Sequence, residues 1–414
     1  MTASTEAATP NQVGYRRLIA ALFLPTVPLF ACFQGIQQVL QPAQIEAVDP
    51  MAKVRNLAIV TALSSLTAVI GLVLGGALSD RTRTPWGRRN PWMVVMALAS
   101  AALIGALAGT DRMPALIGLY SVLWLCLNFH QAALTAVLPD RVAPAHRGLA
   151  SSAIGLATPI GIMLGVNLAG RLSAGVTFAV LAALLVAGAF AFLWLAPEPS
   201  LPPSPPPPAR RPAVRPAEFL SAFADRDFSA AFVSRALLCL AFFSVNGYVF
   251  YVVKDRTPLA ELPHGNAGVA VSILATTSTL AWILGVPAAG WLADRLDRRK
   301  WTVSIAAIGM ALATIPPALS AHWSALLAFA AMNGLFFGIY MAVDLALMSL
   351  VLPNPEALGR DMAILNVASA GSQIFAPLLA GAVISALGYG ALFGMAAALA
   401  SGGGLIVLAI RKVR

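Results

Sequence analysis

Long apolar stretches, each near the length of a membrane crossing, follow one another along this chain with short polar segments between them. A hydrocarbon core of about 30 Å takes about 20 helical residues to cross. Inside it the backbone must satisfy its own hydrogen bonds, which leaves helices or closed barrels as the spanning structures. We read the spans as Leu18 to Val39, Leu57 to Leu78, Pro91 to Gly109, Ala115 to Leu138, Leu149 to Leu172, Val176 to Ala196, Ala230 to Val253, Gly268 to Ala293, Trp301 to Leu319, Ser324 to Leu352, Met362 to Leu387 and Tyr389 to Ile410. The expectation is an all-α membrane protein with twelve transmembrane helices. Composition agrees: 59% of residues are hydrophobic and 11% charged, against about 45–50% and about 25% in soluble domains.

The net charge of +10 is sorted by position. With the first segment inside, 21 of the 27 lysines and arginines fall in segments on one side, which the positive-inside rule assigns to the cytoplasm. Both termini are expected there, in a multi-pass protein of the cell membrane. The basic residues form short clusters between spans and no aromatic-interleaved patch, so no nucleic acid is expected as a partner. Residues 1–11 lack a basic leader, and the run that follows is too long for a signal peptide, so the first helix should be kept. Cys32, Cys126 and Cys239 lie within apolar runs and offer neither a disulfide framework nor metal-ligand spacing. No cofactor or metal is expected. Phosphate loops, nucleophile elbows and redox pairs are missing from the sequence, which argues against an enzyme.

Residues 197–227 are rich in proline, with the run Pro205 to Pro208, and read as a stiff cytoplasmic spacer rather than an SH3-type ligand. They divide residues 1–196, an N-terminal six-helix bundle, from residues 228–414, a C-terminal one. The halves resemble each other. GGALSDRTRTPWGRRNPW follows the second span and GWLADRLDRRK the eighth; aligning Asp80 with Asp294 also aligns Gly76 with Gly290 and Arg81 with Arg295. The same offset sets VLPDRVAPAHRG on VLPNPEALGRD. Two features in one register argue for a duplicated unit with its site between the halves.

On these residues the chain resembles the major facilitator superfamily over its whole length. Gly76, Asp80, Arg81, Gly87, Arg88 and Arg89 match the loop signature of that family, and Gly290, Asp294, Arg295 and Arg299 form its degenerate copy. The text SDRTRTPWGRRNPW, VDLALMSLVLP and GRDMAILNVAS is similar to the glycoside–pentoside–hexuronide and sucrose cation symporter branch. The resemblance implies two pseudo-symmetric bundles, a central cavity ringed by helices one, four, seven and ten, and alternating access. Charge-assisted hydrogen bonds in the two loop clusters would gate the cytoplasmic side; alternatively these arginines only fix orientation and hold lipid headgroups. Sodium-coupled members of the branch carry carboxylates inside helices two and four. This chain has none between Leu57 and Leu78 or between Ala115 and Leu138. That departure favours protons over sodium, which needs several hard oxygen ligands.

Asp344 is the acid that lies well inside a span, nine residues before Pro353, about 14 Å along a helix. Intramembrane acids are costly and are functional hypotheses by default. Asn333 and Tyr340 share its helical stripe, which should face the cavity. With no arginine or lysine expected in the middle of a span, burial would favour the neutral acid and a wet cavity the carboxylate, so a proton could be loaded on one side and lost on the other. The duplication sets His130 opposite Asp344, as its partner or as a second proton site. The alternatives are a structural acid bonded to a neighbouring helix and a hydrogen-bonded core histidine. For substrate, Gln34, Gln38, Asn128, Gln131, Asn246, Tyr340, Asn333, Asn366 and Gln373 offer amide and hydroxyl groups beside aromatic rings, suited to a neutral polyhydroxylated ligand. Each alone could equally bind helix to helix. The reading is a secondary transporter, a proton-coupled symporter of a sugar or glycoside. A proton-driven antiporter exporting an amphipathic small molecule and a lipid carrier are the alternatives. We expect a monomer whose partners are a small-molecule substrate, protons and membrane lipids.

Overall fold

The computed structural model describes residues 12–143, 146–197, 222–296, 299–351 and 358–411. Of the spacer expected over 197–227, residues 198–221 lie outside that description, whereas 222–227 form a short turn of helix and the start of the seventh spanning helix. Among the described residues are twelve spanning helices: α1 (Arg17–Val48), α2 (Lys53–Arg81), α3 (Asn90–Ala108), α4 (Met113–Arg141), α5 (Arg147–Arg171), α6 (Ala174–Leu195), α7 (Arg226–Asn246), α8 (Ala267–Leu296), α9 (Arg299–Leu319), α10 (Trp323–Val351), and α11 and α12 within the run Leu358–Leu408.

That last run has 51 residues, about 75 Å if straight and more than two bilayer cores. Gly388 breaks it at φ 82° and ψ 175°, a region open essentially to glycine alone. Beyond it Tyr389 donates to Asp255, whereas at the far end of α12 the Ile410 carbonyl accepts from Lys300 at the start of α9. The chain therefore turns back at Gly388, at the boundary expected between the last two spans.

Two spans differ from expectation. The first runs on past Val39 to Val48, because Gln44 ties this extension to Leu107 and Thr110 carbonyls and to the Tyr120 hydroxyl. The seventh does not continue to Val253. It ends at Asn246, and after Gly247 and Tyr248 a short helix Val249–Arg256 follows, with the Tyr248 hydroxyl donating to carbonyls of Val54 and Pro377.

Lipid supplies no hydrophobic drive between helices, so close backbone contact has to hold them. A Cβ at Gly71 would lie 2.2 Å from the Leu125 carbonyl oxygen of α4, and one at Gly285 2.4 Å from the Leu335 oxygen of α10. The register that pairs Asp80 with Asp294 also pairs these two glycines, so the duplication extends to the α2/α4 and α8/α10 contacts. The halves meet along α2 against α11 and α5 against α8.

The two ends of the bundle differ. One, here the basic end, carries the α2–α3 loop, the starts of α1 and α9, and Arg411. At the opposite end the halves are joined. Lys53 of α2 bridges Glu46 of α1 and Asp255 of the C-terminal half at 2.8 and 2.7 Å, and Lys254 reaches Glu46 at 2.7 Å. Tyr251 donates to the Pro42 carbonyl, and Asn167 to Thr276. At the basic end, the hydrogen bonds of Arg89 to Asp140, Arg141 to Ala196, Arg147 to Val142, Lys300 to Ile410 and Arg411 to Asp227 each lie within one half.

Candidate functional site

A cavity of about 290 Å³ lies between the halves, below the joined end. Helix α1 gives it three amides, Gln34, Gln37 and Gln38. Spaced i, i+3, i+4, they share one helical face on the cavity wall, and α1 is π-helical over Ile36–Leu40, a distortion that often marks functional sites. Gln38 Nε2 donates to Gln34 Oε1 at 2.6 Å, which orients both. Thr61, Ser65, Asn246 and Gln373 add further hydrogen-bonding groups. The facing wall is aromatic: Phe242 and Phe337 stack with centroids 3.7 Å apart, and Trp282 meets Phe337 edge to face. No charged side chain is among the described lining residues.

The helix-ten stripe is a correction. Gly334, Phe337 and Met341 face the cavity, not Asn333, Tyr340 and Asp344, because the Phe337–Phe242 stack sets the rotation of α10. Asn333 instead lines a small void shared with α7, α9 and α12. Asn128 bonds back to the Trp124 carbonyl, and neither it nor Gln131 reaches the described cavity lining.

Asp344 has a permanent cation beside it, against the expectation. Arg235 Nη1 lies 2.9 Å from Asp344 Oδ2, with the two side chains 11% and 5% exposed. The guanidinium also donates to Ser369 Oγ at 2.7 Å and to Asn366 Oδ1 at 3.2 Å, both on α11. Arg235 falls within the seventh span, Ala230 to Val253, and α7, which starts at Arg226, carries it about 14 Å into the bundle. Its presence within a counted apolar span was the signal that could have found it. Tyr340, one turn before Asp344, is buried among Asp344, Arg235 and Cys239. The pair stands behind the α11 face that carries Asn366 and, two turns on, the cavity residue Gln373.

His130 is not brought to Asp344. It is buried on α4 with Nδ1 donating to the Met93 carbonyl of α3 at 2.9 Å, while Nε2 makes no hydrogen bond.

In the α2–α3 cluster the hub is Arg89. It is 4% exposed and joins Asp80, Asp140 and Ser79, and Arg88 also meets Asp140. Asp140, at the end of α4, was missed as a site residue although it directly follows the Val-Leu-Pro repeated in the second half. All of these residues belong to one half. Asp80 is 59% exposed, Arg81 is exposed, and Gly87 at φ 93° closes the turn with Thr84. In the second copy, Gly290 and Arg295 lie near the end of α8 and Arg299 opens α9; for Asp294 only the helical backbone is described.

The family profile of the Major Facilitator Superfamily matches residues 18–259 and 257–414. The nucleoside transporter NupG superposes with a TM-score of 0.72 at 14% identity, covering 95% of this chain and 98% of that one. A variant of the peptide transporter POT gives 0.73 at 15%, covering 95% and 93%. An inward-facing bacterial homologue of the human lysosomal transporter Spinster gives 0.62 at 12%, covering 97% and 95%. At these identities the likeness shows the fold. No curated protein sequence matches the chain significantly.

Proposed function

The chain belongs to the major facilitator superfamily, and from that premise we propose that it carries a sugar or glycoside in symport with protons by alternating access. The observation that carries this reading is the cavity: amides and hydroxyls together with the stacked Phe242 and Phe337 rings, and no charge among its described lining residues. Hydroxyls that donate and accept suit the glutamines, and the apolar face of a pyranose lies on a ring.

Coupling is assigned to Asp344 with Arg235. A proton on Asp344 cancels its attraction for Arg235 and leaves the guanidinium to Ser369 and Asn366. Because α11 carries these two residues and Gln373, proton binding changes contacts on the helix that contributes to the cavity wall. With the basic end in the cytoplasm, as the distribution of arginine and lysine supports, the state described here faces inward.

Addition of solutes to reconstituted liposomes, with external pH recorded, tests the reading. Glycosides should alkalinise the medium. Silence for every glycoside, with alkalinisation by a nucleoside or a dipeptide, would move the chain to another substrate class. The mostly apolar chamber between α5 and α8 favours, as a second reading, export of an amphipathic molecule; cells would then gain resistance to a toxic amphiphile and no glycoside would move protons.

A further inference from the structure

The central cavity does not end at its polar wall. A second chamber of about 550 Å³ adjoins it on the side of the basic end, between α5, α8 and α10. The two share Thr158, Trp282 and Met341. Beyond that junction the lining is Gly155, Leu156, Pro159, Ile283, Val286 and Pro287, with Ser152 as the further hydroxyl. Here α5 and α8, which touch near Gly170 and Gly268 at the opposite end, stand apart. A free monosaccharide held by the glutamines would leave this space to water with few polar partners, a poorly held water that an apolar group displaces with gain.

We propose that the solute is a glycoside with an apolar aglycone, its sugar held by the amides of α1 and its aglycone lying past Trp282 and Met341 in the slot between α5 and α8. The inference rests on the glycoside reading and narrows it. Trp282 and Met341 suit the point where sugar gives way to hydrocarbon, a ring face on one side and a pliable thioether on the other.

The test uses the full chain in liposomes, with methyl, butyl and hexyl glycosides of glucose and galactose competing against counterflow of the radiolabelled methyl glycoside. Burial of hydrocarbon strengthens binding by up to about fourfold per methylene, so inhibition should sharpen along the series and reach about tenfold or more at hexyl. No atom lies within 4 Å of a Cβ built at Gly155, so Gly155→Phe should enter the slot without displacing a helix. It should abolish the hexyl advantage and leave binding of the radiolabelled methyl glycoside to the purified protein unchanged. A flat series in the wild-type protein overturns the inference and leaves the glycoside reading standing. An undiminished hexyl advantage in Gly155→Phe also overturns it, because the tail then partitions into lipid. If no glycoside of either sugar is carried, both readings fall together.

Discussion

Truncation of Arg235 to alanine would leave Asp344, 3% exposed, without its counterion inside the bundle. Breaking a buried pair on one side costs about 3–5 kcal/mol, whereas replacing both partners by packed apolar groups is often neutral or better. Arg235→Ala should therefore unfold at markedly lower temperature in detergent. The double variant Arg235→Met, Asp344→Leu should recover most of that loss and still move no protons, as thermal-shift and pH-electrode measurements would show. A double variant that retained proton movement would free the pair from the coupling role. At this scale the sequence was half legible. Asp344 stands out because a lone acid amid apolar residues has no cheap explanation. Arg235 sits near the start of a span, where it reads as an interfacial charge, and only the three-dimensional approach of α7 to α10 pairs the two. Arg89 was legible as part of a motif, but its role as hub depends on Asp140 arriving from α4.

Among the elements, α1 and α5 show how backbone contact replaces hydrophobic drive. A Cβ at Gly165 would lie 2.1 Å from the Ala31 carbonyl oxygen, and one at Gly161 2.4 Å from that of Val27. Gly165→Val should force the helices apart at a cost of about 1–3 kcal/mol, seen as a lower melting temperature and a smaller monodisperse fraction in size-exclusion chromatography. An unchanged melting temperature would refute the contact. The start of α10 is tied from outside its own chain segment. Glu261 accepts from the Trp323 N–H at 2.9 Å and lies 2.7 Å from His322 Nδ1. These hydrogen bonds hold its carboxyl below the usual carboxylate range. The sign follows: the contribution is present above the unfolded-state value, near 4.3, and is lost as pH falls through the lower folded value. Glu261→Gln should lower the melting temperature slightly at neutral pH and leave it nearly unchanged below the folded-state value, so that the acid limb of the profile flattens. Twelve spans and the turn at Gly388 follow from hydropathy and one glycine. The π-helical widening at Ile36–Leu40 does not, because its hydrogen-bond shift leaves no compositional mark beyond the glutamines it presents.

At the scale of the whole molecule, the halves are held at one end by Lys53, Glu46, Asp255 and Lys254, whereas the Arg89–Asp140 contact at the other end lies within one half. The duplication in the sequence announced two halves and a site between them. It could not say which end is joined in this state, since that depends on residues distant in sequence, such as Asn167 with Thr276. Cysteines at those two positions should cross-link on oxidation and stop transport, with release by reductant; Cys32, Cys126 and Cys239 are buried and should not interfere. Failure to cross-link would argue against the joined end described here. The central claim is that the carboxyl of Asp344 exchanges a proton as the halves rock about the cavity. The direct measurement is glycoside-driven proton movement in liposomes carrying Asp344→Asn, recorded beside counterflow of the same glycoside. Proton movement should vanish while counterflow persists; proton movement at the wild-type rate in that variant would contradict the account.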